Sequence, residues 1–567
     1  MAYIWLNRKK NRIQLRDNKQ EALVLLSLFH TQPTNTIMII KTFKSLLLAG
    51  LCFATATGMA QDKSDWQNGV PEGCTTITVG KAATFDGSVI TSHTDDSHRT
   101  RAWMSVTPAK KHDKDSKFEL FERSAYDSLR MPTYQHKKIG EIDQVANTYQ
   151  FLNTAYPCIN EKQLAIGEST FGGREELYSE ACIIDCQRLQ QLMLERCTTA
   201  REAIKMADEL LKQYGWRDFG EVLTIADKQE VWHFEVVGPG KGKVGAVWVA
   251  QRVPDDHIAV NANASTIKEI DLKNSDYFMA SDNIFQVAED NGWYNPEKET
   301  FRWNYAYAPK SRRSIASRRR EWRVLSMAAP SLDLDPTAKD FPFSVKPDEK
   351  VTMEKLVEIF KDYYEGTPFN FVKNIKQADK DGKEAISPFA NPFMPYGMNR
   401  LFKVNGGWGE LGERTIARWY TMYATIIQCR SWMPDDIGGI VWLAQDNVAT
   451  SIYIPVYSGT TDLADSYKVK ARRLGYTRKS AWWAFNRLST LTAQRWGDMR
   501  HDVDKVFVPL QKQYFEEQAK IDEQYLSLSK RKRRSFLTDR SIEIGNEVVE
   551  KAWEIGDGLW TNYDEKF

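Results

Sequence analysis

The order of apolar and polar positions divides the chain into strand pairs and helices. Residues 75–80 alternate around Ile77 and Val79, Asp86-Gly87 supplies a turn, and Ser88–His93 returns, which predicts a hairpin. Glu221–Ala226 and Glu230–Val237, separated by Asp227-Lys228-Gln229, predict a second. Val244–Arg252 and His257–Asn261 add extended chain, and Gly439–Ala444 with Thr450–Val456 flank a polar Gln445-Asp446-Asn447 turn.

Helical spacing lies between these segments. Thr199-Ala200-Arg201-Glu202 is a capping-box sequence. It opens a run with Ala203, Ala207, Leu210, Leu211 and Tyr214 on one face and Gly215 beyond its end. Asp185–Arg196 is similarly amphipathic, and residues 478–567 read as mostly helix. The Pro- and Lys-rich stretch 330–395 reads as an irregular insertion. Strand hairpins interleaved with helix pairs predict an α+β protein in which helices cover antiparallel sheets.

The first sixty residues change the picture of charge and compartment. Ser45–Ala60 is uncharged, Lys41 and Lys44 precede it, and Gly58 and Ala60 stand at positions −3 and −1 of a cut before Gln61. These are the parts of a cleavable signal peptide, with Met38 a natural start for its charged region. The apolar run falls short of the roughly 20 residues of a membrane span, so no stable membrane insertion is expected after cleavage. Residues 1–60 hold eight Lys and Arg against two acids, so a formal +2 for the whole chain becomes about −4 without them. Nucleic acid is therefore not an expected partner. Six cysteines remain (74, 158, 182, 186, 197 and 429), too few for a disulfide-framed fold, so packing must hold the core. The expected organisation is a leader over 1–60, a short propeptide over 61–73, a catalytic domain over 74–477 and a helical extension over 478–567.

Cys74 follows Gly73 just beyond that leader. If residues 61–73 are removed, the thiol and an α-amine with a pKa of about 7.7–8.0 stand on one residue, nucleophile and base together. By spacing alone, a cysteine after a glycine near a mature terminus is more often a buried or disulfide residue.

Ordered motifs bear on that choice. Cys74-Thr75-Thr76-Ile77, Val79-Gly80, Asp86-Gly87-Ser88 and Thr94-Asp95-Asp96-Ser97 resemble the opening of the cysteine-type N-terminal-nucleophile dipeptidases, relatives of the choloylglycine hydrolases. Leu164 through Arg174, Arg252-Val253-Pro254-Asp255-Asp256-His257 with Ala262-Asn263, Arg320-Glu321-Trp322-Arg323 and Gly438–Ser451 resemble later motifs of that family. The resemblance implies an αββα sandwich, self-exposure of Cys74 and hydrolysis of dipeptides or short peptides, with no metal and no cofactor. It implies Cys74 as nucleophile, Asp96 as the group orienting thiol and α-amine, Asn263 as oxyanion donor and Thr170 as polar support. An arginine of the 318–323 cluster would complete the set, and which one is open. Where many members carry Arg-Asn, this chain has His93-Thr94, leaving His93 to supply a cation near the thiolate.

Other clusters have plainer readings. Cys182 and Cys186 read as core cysteines, Asp435-Asp436 as a turn after Pro434, His233 as a packed strand residue, and Lys530–Arg534 as a solvated helix face. The expectation is an exported, self-processed cysteine dipeptidase of the secreted or periplasmic space. The same fold would also suit an acyl-amide hydrolase of the bile-salt or penicillin-acylase type, or a non-catalytic envelope binding protein. Oligomeric state, including a homo-oligomer, is left open by the sequence.

Overall fold

The computed structural model describes residues 73–97, 101–123, 134–310, 314–393, 413–471 and 475–564. The leader, and the 61–73 segment apart from Gly73, lie outside them. In chain order the strands that build the site are β1 (Gly73–Val79), β2 (Val89–Asp96), β3 (Ala165–Gly172), β4 (Gly220–Ala226), β5 (Val231–Val237), β6 (Ile258–Asn261) and β7 (Thr421–Cys429). The principal helices are α1 (Cys186–Arg196), α2 (Ala200–Tyr214), α3 (Ile315–Ala328), α4 (Ala481–Thr492), α5 (Trp496–Ser527) and α6 (Lys530–Asn562).

The protein is α+β, built on two antiparallel sheets. In the first, β1 lies between β6 and β2, and β2 in turn pairs with β7. Gly439–Gln445 and Ile454–Tyr457 continue the sheet beyond β7. The predicted hairpin there is present, but Val448–Thr450 forms a 3-10 turn, so its return strand starts later than expected. Among the described residues the second sheet has eight strands centred on β3, β4 and β5.

The two sheets stack through small and polar side chains. Thr91 Oγ1 of β2 donates to the Thr224 carbonyl of β4 at 3.1 Å, and Thr78 Oγ1 of β1 lies 2.9 Å from His233 Nε2 of β5. Burial lowers the His233 pKa to about 3, so this imidazole is a neutral packed residue. Gly167 marks the closest approach. A Cβ there would stand 2.2 Å from the Ser92 carbonyl oxygen of the facing sheet. Gly167→Ala should therefore push the sheets apart at a cost of about 1–3 kcal/mol, read as a lowered denaturation midpoint.

Helices bury the other sides. Leu223 and Ile225 of β4 join a core with Leu189, Leu192 and Met193 of α1 and Ala203, Ala207 and Leu211 of α2. The Thr199 side chain accepts from the Glu202 amide to start α2, and Gly215 ends it at φ 71°. Against the first sheet lies a larger core that includes Ile426 of β7, Leu488 of α4, Phe507 of α5 and Trp553 of α6. Arg534, in the basic run at the start of α6, pairs with Asp436 at 3.0 Å and with Glu161, so that run is anchored as well as solvated. The 330–395 stretch contains an amphipathic helix, Met353–Lys361, capped by Thr352, and a small Lys376–Ala378/Glu384–Ile386 hairpin. All six cysteines from Cys74 onward are buried and free of disulfides. No described helix is long and apolar enough to cross a membrane.

Candidate active site

Cys74 is the second residue of β1, opposite Asp95 of β2, and only 5% exposed. Its backbone N–H donates to Asn263 Oδ1 at 3.0 Å, and its Sγ lies at hydrogen-bond distance, 3.0 Å, from Glu168 Oε1 of β3. The nitrogen and the sulfur of the residue are thus each held by a side chain from a distant segment.

Asn263 follows β6 in the left-handed region at φ 60°, a conformation asparagine tolerates better than other non-glycine residues. Its N–H donates to Ser169 Oγ at 3.0 Å, and its carbonyl accepts from Ser317 Oγ at 3.1 Å. The side-chain Nδ2 donates to the Thr170 carbonyl at 2.8 Å. The asparagine therefore reaches Cys74 at its nitrogen, while its own donor is engaged by backbone. Thr170 contributes to the site through that carbonyl. Its hydroxyl donates to Glu221 Oε1 at 2.8 Å instead.

Asp96, at the end of β2, lies opposite Gly73. Its carboxylate pairs with Arg414, accepts from Thr421 Oγ1 at 2.6 Å and from Thr94 Oγ1 at 3.2 Å. Thr94 Oγ1 in turn accepts the Thr75 amide at 2.9 Å. Asp96 thus meets β1 through Thr94, at Thr75, one residue beyond Cys74. Gly73 is pressed against the same groups, for an added Cβ would fall 2.2 Å from Asn263 Oδ1 and 2.9 Å from Arg414 Nη1.

Of the arginines between 318 and 323, it is Arg320 of α3 that reaches the site. Its Nη1 donates to the Cys74 carbonyl at 2.7 Å and Thr75 Oγ1 at 2.9 Å, and its Nη2 to Asn263 Oδ1 at 2.9 Å. Burial, followed by the charge of Arg414, lowers its pKa to about 9, which still leaves it cationic at neutral pH. Arg319 and Arg323 are instead paired with Glu413 and Asp362.

The electrostatics centre on His93 and Glu168. His93 Nε2 lies 3.0 Å from Glu168 Oε1, and Nδ1 lies 3.4 Å from Tyr423 Oη. Tyr156 and Tyr423 rings stand edge-on to the imidazole at 5.5 and 5.6 Å. Burial by itself would lower the His93 pKa, but the hydrogen bond and charge of Glu168 outweigh it, and the net shift is upward. Burial would raise Glu168, yet His93, the thiol and Glu221 together bring it below the ordinary range. Each group thus favours the charged form of the other. The Cys74 thiol is pushed well above its ordinary 9.0 by burial and then by the charges of Glu168, Asp95 and Asp96, so it rests protonated.

Linkage gives this pair a pH signature. The stability from His93 is complete below its ordinary 6.5 and is lost as pH rises through its raised folded value. That from Glu168 is complete above its ordinary 4.5 and is lost as pH falls through its lowered folded value. The contribution should peak between about pH 4.5 and 6.5. Denaturation midpoints across that range and upward should fall on the alkaline side, and His93→Gln should flatten that fall; an unchanged slope would contradict the assignment.

Cys74 Sγ, a His93 ring nitrogen and a Glu168 oxygen lie within 4.8 Å of one another, as do donor atoms of Glu168, Cys186 and Glu221. The resemblance assigned neither Glu168 nor Arg414. A signal for Glu168 was there, since an acid inside the buried run Ala165-Ile166-Gly167-Glu168 requires a partner.

Residues 73–508 match the sequence model described as peptidase family C69. The chain is similar to a probable dipeptidase of Latilactobacillus sakei, 24% identical over 76% of this chain and 83% of that protein. It is similar to probable dipeptidase B of Lactococcus lactis subsp. lactis (strain IL1403), 25% identical over 70% of this chain and 76% of the other. Dipeptidase A of Lactobacillus helveticus is 22% identical over 76% and 83% of the two chains.

Proposed function

The chain belongs to peptidase family C69, and on that premise we propose that it is an exported, self-processed cysteine dipeptidase with Cys74 as its nucleophile. The names of its relatives support dipeptides as substrates. Two stacked antiparallel sheets with helices outside them support the αββα sandwich of N-terminal-nucleophile hydrolases.

One observation carries the reading. The nitrogen and sulfur of a single residue, at the start of a central strand, are each held by a polar side chain. Such an arrangement serves a residue whose nitrogen becomes an α-amine. Once Gly73 is gone, Asn263 Oδ1 retains that amine, and Asp96, which faces Gly73 across the strand pair and reaches β1 through Thr94, supplies negative charge near it. The amine takes the thiol proton, Sγ attacks the substrate carbonyl, and the amine returns the proton to the leaving nitrogen. Water, deprotonated by the same amine, then hydrolyses the thioester. Arg320 locks Cys74 and Asn263 together, and protonated His93, near the sulfur, favours the thiolate.

N-terminal sequencing of the secreted protein, paired with a dipeptide panel, tests the reading. The expected outcome is a chain that begins at Cys74 and hydrolyses dipeptides. A protein that begins at Gln61 and hydrolyses them equally well would refute it.

A further inference from the structure

Given self-processing at Cys74, on which this step rests, we infer that Glu168 is the base of that first cleavage and that His93 is the residue that positions it.

The α-amine that serves the mature enzyme cannot start the reaction that creates it. In the uncut chain the Cys74 nitrogen is a peptide amide whose N–H is donated to Asn263 Oδ1, so it has no lone pair for a proton. The thiol is buried and held protonated, so spontaneous ionisation is disfavoured. Glu168 Oε1 lies 3.0 Å from Sγ, within the reach general-base catalysis requires. The same oxygen lies 3.0 Å from His93 Nε2. Besides these two, Glu168 faces Glu221 of β4 and Cys186 of α1, with Asp95 and Asp96 further along β2.

The steps balance. The Sγ proton passes to Glu168 Oε1 as sulfur bonds to the Gly73 carbonyl carbon and the C=O pair moves onto oxygen. Glu168 then gives that proton to the Cys74 nitrogen, the C–N bond breaks and the carbonyl reforms. A thioester and a free α-amine result. Water hydrolyses the thioester, releasing the segment that ends in a Gly73 carboxylate and restoring the thiol, so the net change is the addition of one water. Throughout, the proton stays within the Cys74, Glu168 and His93 cluster, so the buried site gains no net charge. The transfer leaves a neutral carboxyl and keeps His93 within 4.8 Å of the sulfur as it attacks. Because each chain cuts itself once, a weak base is adequate.

The full chain can be made by pulsed cell-free synthesis and its cutting followed by intact mass at a series of pH values. Wild type should cut at a nearly level rate from about pH 6 to 9, since the base is ionised throughout. Glu168→Gln should be slower by about 100-fold or more at pH 7 and then gain about tenfold per pH unit as hydroxide takes over, while Glu168→Asp should recover part of the rate. In His93→Gln the acid limb should move to higher pH, a shift that a purely structural role would not produce. Glu168→Gln cutting at the wild-type rate overturns the inference. So does a wild-type rate that climbs about tenfold per unit across the same range, a measurement that needs no variant to fold. An unmoved acid limb removes His93 from the proposal. A Cys74→Ala chain still cut after Gly73 would defeat self-processing itself. If that chain stays whole while Glu168→Gln cuts normally, only the role of Glu168 falls.

Discussion

Cys74→Ala should abolish dipeptide hydrolysis, a loss of about 10⁴-fold or more, and leave the chain uncut after Gly73. The size follows from what the sulfur alone supplies. Asn263, Arg320 and Asp96 all hold backbone or charge around the residue, and none of them can form the acyl-enzyme in its place. Removing one Sγ from a site already closed to solvent costs little in packing, so the variant should fold with a near-native denaturation midpoint. Intact mass, a thermal melt and a dipeptide assay on one preparation separate the two effects. Activity within about tenfold of wild type would place the nucleophile elsewhere.

The second large effect is on stability. Asp96 and Arg414 form a buried ion pair, with side chains 0% and 1% exposed, and two threonine hydroxyls complete the carboxylate's bonding. Breaking such a pair leaves a charge in a poorly solvated site, which typically costs about 3–5 kcal/mol. Asp96→Asn should therefore lower the urea midpoint sharply and reduce activity along with it. Asp436→Asn, which breaks the half-exposed pair with Arg534, supplies the comparison and should cost no more than about 1 kcal/mol. Equal losses from the two substitutions would mean that water reaches Asp96 freely.

Much of the architecture was legible where the information is local. The Asp86-Gly87 turn between alternating segments is the β1–β2 connection, and Gly87 takes the positive φ of 86° that such a turn demands. The Thr199 cap and the spacing of Ala203, Ala207 and Leu211 gave α2 within a residue. The Met353–Lys361 helix was hidden in a stretch whose Pro and Lys content outweighed its amphipathic run Leu356, Val357, Ile359 and Phe360. Within the site, Cys74, Asn263 and Thr170, to which the resemblance pointed, are joined by hydrogen bonds. Asp96 connects through Thr94, and His93, read from the chain's departure from the family pattern, lies beside Glu168. The resemblance did not tell Arg320 from its neighbours, because less than two turns of α3 carry Arg318, Arg319, Arg320 and Arg323, and only their direction separates them.

By itself, then, the sequence determined most of the elements and the place of Cys74 at the start of one strand. Those features follow from periodicity, capping and turn chemistry over a few residues. Only the tertiary structure decided which buried groups face one another. The thiol meets Glu168 across 94 residues and Asp96 meets Arg414 across 318, pairings set by how the sheet is ordered, how the two sheets stack and where the chain returns. A buried acid must find a partner, but which partner it finds depends on strand register and sheet spacing, quantities that no local pattern contains.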